Sequence, residues 1–542
     1  MSVKLRIIAV LIMAGIFACL LHRSITTDNA LLITIFPSED GKLDISGQVY
    51  TAKIQQIVEV YSDENNTYYL FMPAYTEEKK IIFKTGNNIE IEQKENNVYY
   101  VNNSELVVLY GSRIPTLHIT LDKDLSYITA DKENVDKGHI FFMSADGTID
   151  YSGDLKEIKG RGNASWGLDK KPFQFKLTEA VELYNIPATD RFALVSARDY
   201  SYLRNYISNE MAQCMGSNTL YCEHIDLYIN NEYQGIYELW NKLEPEAIGI
   251  YDLEEVNKSV ADTLEITDQL DTGICLDDWN SSITGKWWDY FDGSDDMSGG
   301  YLLENDYPAR YAEEASGFVL DSGAYIVSKS PKYLSENQYI YISDYMRTCE
   351  ELLYEGLEQD NYNLLSQYIN VDSFISKYLV EEVSKNVECS ATSQYFYKDI
   401  DDALYAGPVW DYDSAYGVHH NAYDIDFSSP EGFCARNVPG TFIWWQLLYY
   451  NEKFYNDMTE VYNTTLYPYL NELTGSLLPQ WEEKLTNSAV MNSLKWKRAT
   501  SEEEARLEYQ QQVLSLSEFL KIRKEFLYNE WFITIFLMAR SS

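Results

Sequence analysis

Cationic charge is scarce in this chain: 43 Lys and Arg stand against 84 Asp and Glu over 542 residues, a formal net charge of −41. A field of that sign repels phosphate backbones and argues against a nucleic-acid partner, so any nucleotide must be held by a local basic patch and by metal. Cysteine is sparse too, with seven residues and no Cys-x-x-Cys pair, which argues against a zinc ribbon. Cys214 and Cys222 are near enough in sequence to form a disulfide after export or to stand as buried thiols. Cys389 abuts Glu388 but has no nearby His in sequence to activate it, so core packing is its expected role. Near the C-terminus, the apolar run Phe532 to Met538 is too short to cross a membrane.

What is present is ample for burial: 45% hydrophobic and 14% aromatic residues suit two or three domains with real cores and exclude general disorder. The 46 Tyr residues keep a carbohydrate-binding or carbohydrate-active reading open. At the N-terminus, Lys4 and Arg6 precede an apolar run from Ile7 to Leu21. About 15 apolar residues behind a charged start fit a secretory signal or a short uncleaved anchor, since an ordinary spanning helix needs roughly 20. Residues 1–26 are therefore expected to direct export and to supply the sole membrane contact. Ile16-Phe17-Ala18-Cys19 is close to a bacterial lipoprotein cleavage box, which would place a lipid on Cys19.

From Leu31 to about Asp131, strand-like runs alternate with Asn, Gly and Asp turns: LLITIF, QIVEVY, TYYLFMPAY, IIFKTGNN, VYYVNN, LVVLYG and LHITLD. That beat predicts a small β-sandwich domain over 27–131. A second domain, 132–450, opens near GHIFFM, and 451–542 reads as its amphipathic helical continuation. Early in that second domain, KGRGNASWGLDKKPFQFKL places Gly160, Gly162 and Gly167 in a turn between two strands, where backbone amides can approach phosphates. On the following strand Phe173, Phe175 and Leu177 face one way and Gln174 and Lys176 the other. Lys176 is then a candidate to grip nucleotide phosphates, with Lys171 as its rival. Ser201 to Cys214 predicts a helix with Leu203, Ile207, Met211 and Cys214 on one face. Glu210 beside that stripe is a candidate partner for Lys176. Asp372 is the expected cap of a later helix that delivers the chain to Asn386 and Glu388.

Acids gather beyond that helix. Tyr395 to Tyr397 and Leu404 to Trp410 read as two strands joined by the turn DIDDA. The hairpin can bring Glu388, before its first strand, near Asp411 and Asp413, after its second. Carboxylates so gathered repel one another unless they share a proton or a cation. Phosphoryl transfer would use them: one acid near the acceptor hydroxyl, and Asp ligands for Mg²⁺ on nucleotide phosphates.

The order of these segments, RGNASW…KKPFQFKL, LRNYISNEMA, LYINNEYQGIYEL, GGYLLEND and GPVWDYDSAYG, resembles the spore-coat CotH kinase family over roughly residues 135 to 535. The resemblance implies an α+β, atypical protein-kinase-like, two-lobed domain that binds ATP and Mg²⁺ and phosphorylates Ser or Thr of exported or cell-surface proteins. It implies that Gly160, Arg161, Gly162 and Asn163, with Lys171 and Lys176, hold the nucleotide. Asp411, with Asp413 as a second ligand, would bind the metal. The family pattern reads Asn-x-Asp before the hairpin, whereas this chain has Asn386-Val387-Glu388. The extra methylene displaces the carboxylate by about 1.5 Å, a misplacement that can cost roughly 100-fold in rate. A slow kinase, a kinase with a shifted acceptor, a nucleotide-binding pseudokinase with a structural role, and nucleotidyl transfer on the same grips all follow as alternatives.

Overall fold

The computed structural model describes residues 30–38, 42–50, 55–62, 67–196, 198–266, 276–277, 285–288, 292–355 and 362–533. The expected targeting segment, the Cys19 lipidation site and most of Phe532 to Met538 lie outside the described residues. Among the described residues no helix is long and apolar enough to cross a membrane. The chain forms two compact units. One comprises Met1–Ser196, Glu223–Leu239 and Glu482–Tyr509; the other comprises Ala197–Cys222, Trp240–Trp481 and Gln510–Ser542. These units do not follow the sequence boundaries at 131 and 450, because the first gathers in two later segments.

The first unit begins with nine strands: β1 Ala30–Pro37, β2 Leu43–Tyr50, β3 Gln55–Glu59, β4 Tyr61–Ser62, β5 Thr67–Met72, β6 Lys80–Thr85, β7 Ile91–Glu95, β8 Val98–Val101 and β9 Ser104–Tyr110. They make two sheets, ordered β3-β2-β1-β6 and β4-β5-β9-β8-β7. Strict alternation buries Leu31, Ile33 and Ile35 of β1 in the same core as Leu70 and Met72 of β5. Gly47 on β2 permits the close approach, since a Cβ there would meet Leu70 and Met72 at 2.9 Å. The strands up to β9 thus form two sheets that share one core.

LHITLD belongs elsewhere. It forms β10 (Thr116–Leu121), the first strand of a closed barrel with β11 Asp136–Met143, β12 Ile149–Gly160, β13 Phe173–Leu183, β14 Ile186–Val195, β15 Cys222–Ile229 and β16 Glu232–Asn241. The order is β10-β11-β12-β13-β14-β16-β15, and the parallel pairing of β10 with β15, Thr116 opposite Asp226, closes it. Local strand periodicity cannot reveal that closing pair, because its two members lie about a hundred residues apart in sequence.

The second unit has a seven-stranded sheet of β17 Leu276–Asp277, β18 Gly285–Trp287, β19 Tyr301–Asp306, β20 Gly317–Val319, β21 Tyr325–Ser330, β22 Gln394–Lys398 and β23 Leu404–Ala406. Its order is β17-β18-β20-β21-β19-β22-β23. The helices that matter for the site are α1 Arg204–Cys214, α2 Glu336–Glu355, α3 Val371–Ser384 and α4 Trp444–Tyr450. The α3 cap is Asn370, whose extended backbone lets its side chain accept from Ser373 N–H; Asp372 instead lies in the first turn, where its charge suits the helix dipole. Trp444 and Trp445 of α4 are fully buried, the former 5.8 Å from the Phe396 ring on β22 and the latter 6.0 Å from Phe374 on α3. The expected mixed α+β class holds across the described residues. Cys214, Cys222 and Cys389 stand as free thiols, and Cys389 is fully buried.

Candidate active site

The second unit brings Glu388, Asp411 and Asp413 into one electrostatic neighbourhood. Helix α3 is buried on nearly every face and ends at Lys385, whose left-handed backbone (φ 48°) turns the chain toward Asn386 and Glu388. The Lys385 ammonium anchors that turn by donating to the carbonyls of Asp426, Ser429 and Glu431 at 2.7, 2.9 and 2.8 Å. Asn386 Oδ1 accepts from Glu388 N–H at 3.1 Å, and Glu388 O accepts from Ala391 N–H at 2.9 Å. The Glu388 side chain is thus held on a short, braced loop.

From the other side comes the hairpin, with β22 and β23 paired through Phe396 opposite Ala406. Its second strand is shorter than expected and stops at Ala406, before Gly407-Pro408, because Pro cannot donate to a ladder. Asp411 then takes a left-handed backbone (φ 69°) and is exposed, Tyr412 turns inward, and Asp413 is half-buried. Asn205 on α1 fixes the bend by accepting from Tyr412 N–H at 2.7 Å.

Burial and then the charges of Asp411 and Asp413 push Glu388 up to about 8, while Arg310 favours its ionised form. Asp413 is pushed up to about 6 by burial and by Asp411, opposed by the Ser414 hydroxyl, 3.0 Å away, and by Arg198. Arg310 is held by Asp306 at 3.4 Å and by the Thr392 hydroxyl at 3.2 Å. Asp411 raises the proton affinity of both Glu388 and Asp413, a repulsion that a cation between the carboxylates would relieve. Among the described residues no group of three or more His, Cys, Asp or Glu side chains can hold a metal by itself. Two hard carboxylate oxygens completed by phosphate oxygens are the donor set that Mg²⁺ commonly uses. Asp411 and Asp413 therefore fit a metal brought in with nucleotide.

Sequence reasoning missed Arg310, Arg198, Asn205 and the inward side of the acidic triplet. The signal for Asn205 was its place at the start of α1. For Arg310, no local pattern distinguishes it from a solvated surface residue.

The first unit holds the other nominated residues. Gly160 ends β12 and packs so closely that a Cβ would collide with the Trp166 ring; Gly162 adopts φ +78°. Arg161 N–H donates to Pro172 O at 3.2 Å, and Asn163 is exposed. Lys171 donates to Trp166 O at 2.7 Å, and Lys176 pairs with Asp190 at 3.3 Å. Unread in the sequence was Lys170. Its ammonium donates to Ile236 O and lies 4.4 Å over the Tyr237 ring. Enclosure lowers it to about 7, against the pull of Glu238 and Asp226. Glu210 lies on α1 in the second unit, where burial raises its carboxyl.

The family model described as CotH kinase protein matches residues 158–527. The chain belongs to the CotH kinase family. The match begins inside β12, so the two sheets that precede the barrel fall outside it, while every nominated CotH site residue from Gly160 to Asp413 falls within it. No curated protein matches the chain.

Proposed function

We propose that this CotH-family chain is an ATP- and Mg²⁺-dependent phosphotransferase, of protein-kinase-like two-lobed fold, that phosphorylates Ser or Thr of exported or cell-surface proteins. The observation that carries this reading is the convergence of Glu388, Asp411 and Asp413 in one acidic neighbourhood. Asp411 and Asp413 would hold Mg²⁺, which supplies neutralisation of the charge on the transferred phosphoryl group. Glu388 orients the acceptor hydroxyl and takes up its proton. The Gly160 to Gly167 turn, including Arg161 and Asn163, would cover the phosphates.

Lys170 is our preferred phosphate-gripping lysine. Burial lowers its proton affinity against the pull of Glu238, a shift that an arriving anion would oppose, whereas Lys176 is already paired with Asp190. Lys171 and Lys176 then flank it. Export is supported by Lys4, Arg6 and the apolar run to Leu21.

A nucleotide-binding pseudokinase is the second reading, favoured by the high proton affinity of Glu388 and its extra methylene. The two readings are separated by transfer of labelled γ-phosphate from ATP to exported proteins, with Asp411→Ala as control. Label transfer lost in the variant supports the enzyme; binding of ATP without transfer supports the pseudokinase.

A further inference from the structure

Behind the acidic pair, helix α3 carries a buried polar cluster. Lys377 and Glu381, one turn apart on α3, form an ion pair at 2.8 Å with side chains only 1% and 0% exposed. The Tyr412 hydroxyl completes the cluster. It donates to Glu381 Oε1 at 2.6 Å and accepts from Lys377 Nζ at 3.0 Å. A buried ion pair is a weak source of stability, since the lost hydration of both charges offsets their attraction. A better account of its placement is geometric.

Tyr412 separates the two aspartates and is pinned at both ends: its backbone N–H by Asn205 at 2.7 Å and its hydroxyl by the ion pair. Asp411 keeps a left-handed backbone, which persists in a residue with a Cβ where its surroundings over-determine it. The pinned neighbour supplies that constraint. Tyr412 is buried while Asp411 is exposed and Asp413 half-buried, so fixing Tyr412 fixes the bend that carries both carboxylates.

We propose that Tyr412, clamped by Lys377 and Glu381, is a positioning residue that sets the spacing of the Asp411 and Asp413 carboxylates and thereby the affinity of this site for Mg²⁺ in the presence of ATP. The inference rests on the metal-binding reading of those aspartates. The same clamp keeps the Glu381 charge compensated, and Glu381 is one of the groups that act on Glu388.

The test is the melting temperature of the full chain at saturating ATP as Mg²⁺ is raised, which yields a half-saturating Mg²⁺ concentration. Tyr412→Phe removes only the hydroxyl, and Lys377→Met with Glu381→Leu removes the clamp without leaving a lone buried charge. Each is expected to raise the half-saturating Mg²⁺ about tenfold, the scale seen when a partner of a metal ligand is lost. Lys377→Arg with Glu381→Asp, which keeps both charges, should recover part of the loss. A variant that melts lower without Mg²⁺ but saturates at the wild-type concentration would show a merely structural role and overturn the proposal. So would an unchanged profile in both variants. Absence of any Mg²⁺-ATP shift in the wild type would instead remove the metal-binding reading itself, and the proposal with it.

Discussion

Asp411 is the largest charge acting on Glu388, so the carboxylate before the hairpin and the one after it compete for the same proton or cation. That relation makes the protonation of Glu388 depend on what the two aspartates hold. A cation at Asp411 would lower the proton affinity of Glu388 and release it to act as a base.

Folding should be coupled to pH through this residue. The folded-state value of Glu388 is raised from 4.5 to about 8, so the folded chain holds the proton more tightly than the unfolded chain does. Its unfavourable contribution is therefore absent below the unfolded value, grows as pH rises, and is complete above about 8. Without Mg²⁺, Glu388→Gln should melt like the wild type at acid pH and several degrees higher at alkaline pH. Equal effects at both pH extremes would show that the raised affinity is not what governs the difference.

Shortening the side chain should help catalysis. Glu388→Asp retracts the carboxylate by one methylene, about 1.5 Å, and is expected to raise kcat by roughly ten- to a hundredfold. Phosphate transfer measured at fixed Mg²⁺-ATP checks this, and a fall in kcat would show that the loop is already adjusted to Glu.

Behind the site, Arg523 and Glu382 form a fully buried ion pair at 2.6 Å, and Glu382 also accepts from Cys434 N–H at 2.6 Å and Ala435 N–H at 3.0 Å. Arg523→Met leaves that carboxylate buried without its cation and should cost about 3–5 kcal/mol of stability. Chemical denaturation of the full chain provides the measurement. Arg523→Met with Glu382→Leu should recover part of the loss.

The parts of the site legible in the sequence were those written in local pattern. The strand β13 shows period-2 burial of Phe173, Phe175 and Leu177, as its sequence predicts. The β22–β23 hairpin follows from aromatic strand residues around an acidic turn. Less legible was anything decided by distant partners. Lys377 and Glu381 have the spacing of an exposed helical ion pair, and only tertiary packing around α3, Tyr412 included, buries them. Lys170 sits beside Lys171 before the strand starts, so alternation could not rank it. The cap of α3 went to Asn370 because backbone conformation decided it, while Asp372, two residues on, carried an equally suitable side chain. Barrel closure by β10 and β15 had no local signal at all.

The central claim is that Asp411 belongs to a Mg²⁺-nucleotide site, and the most direct measurement is the melting temperature of the purified chain with and without Mg²⁺-ATP, beside Asp411→Ala. The account predicts a rise in the wild type that requires both Mg²⁺ and ATP and that the variant loses. An absent rise in the wild type, or a full rise retained in Asp411→Ala, would contradict it.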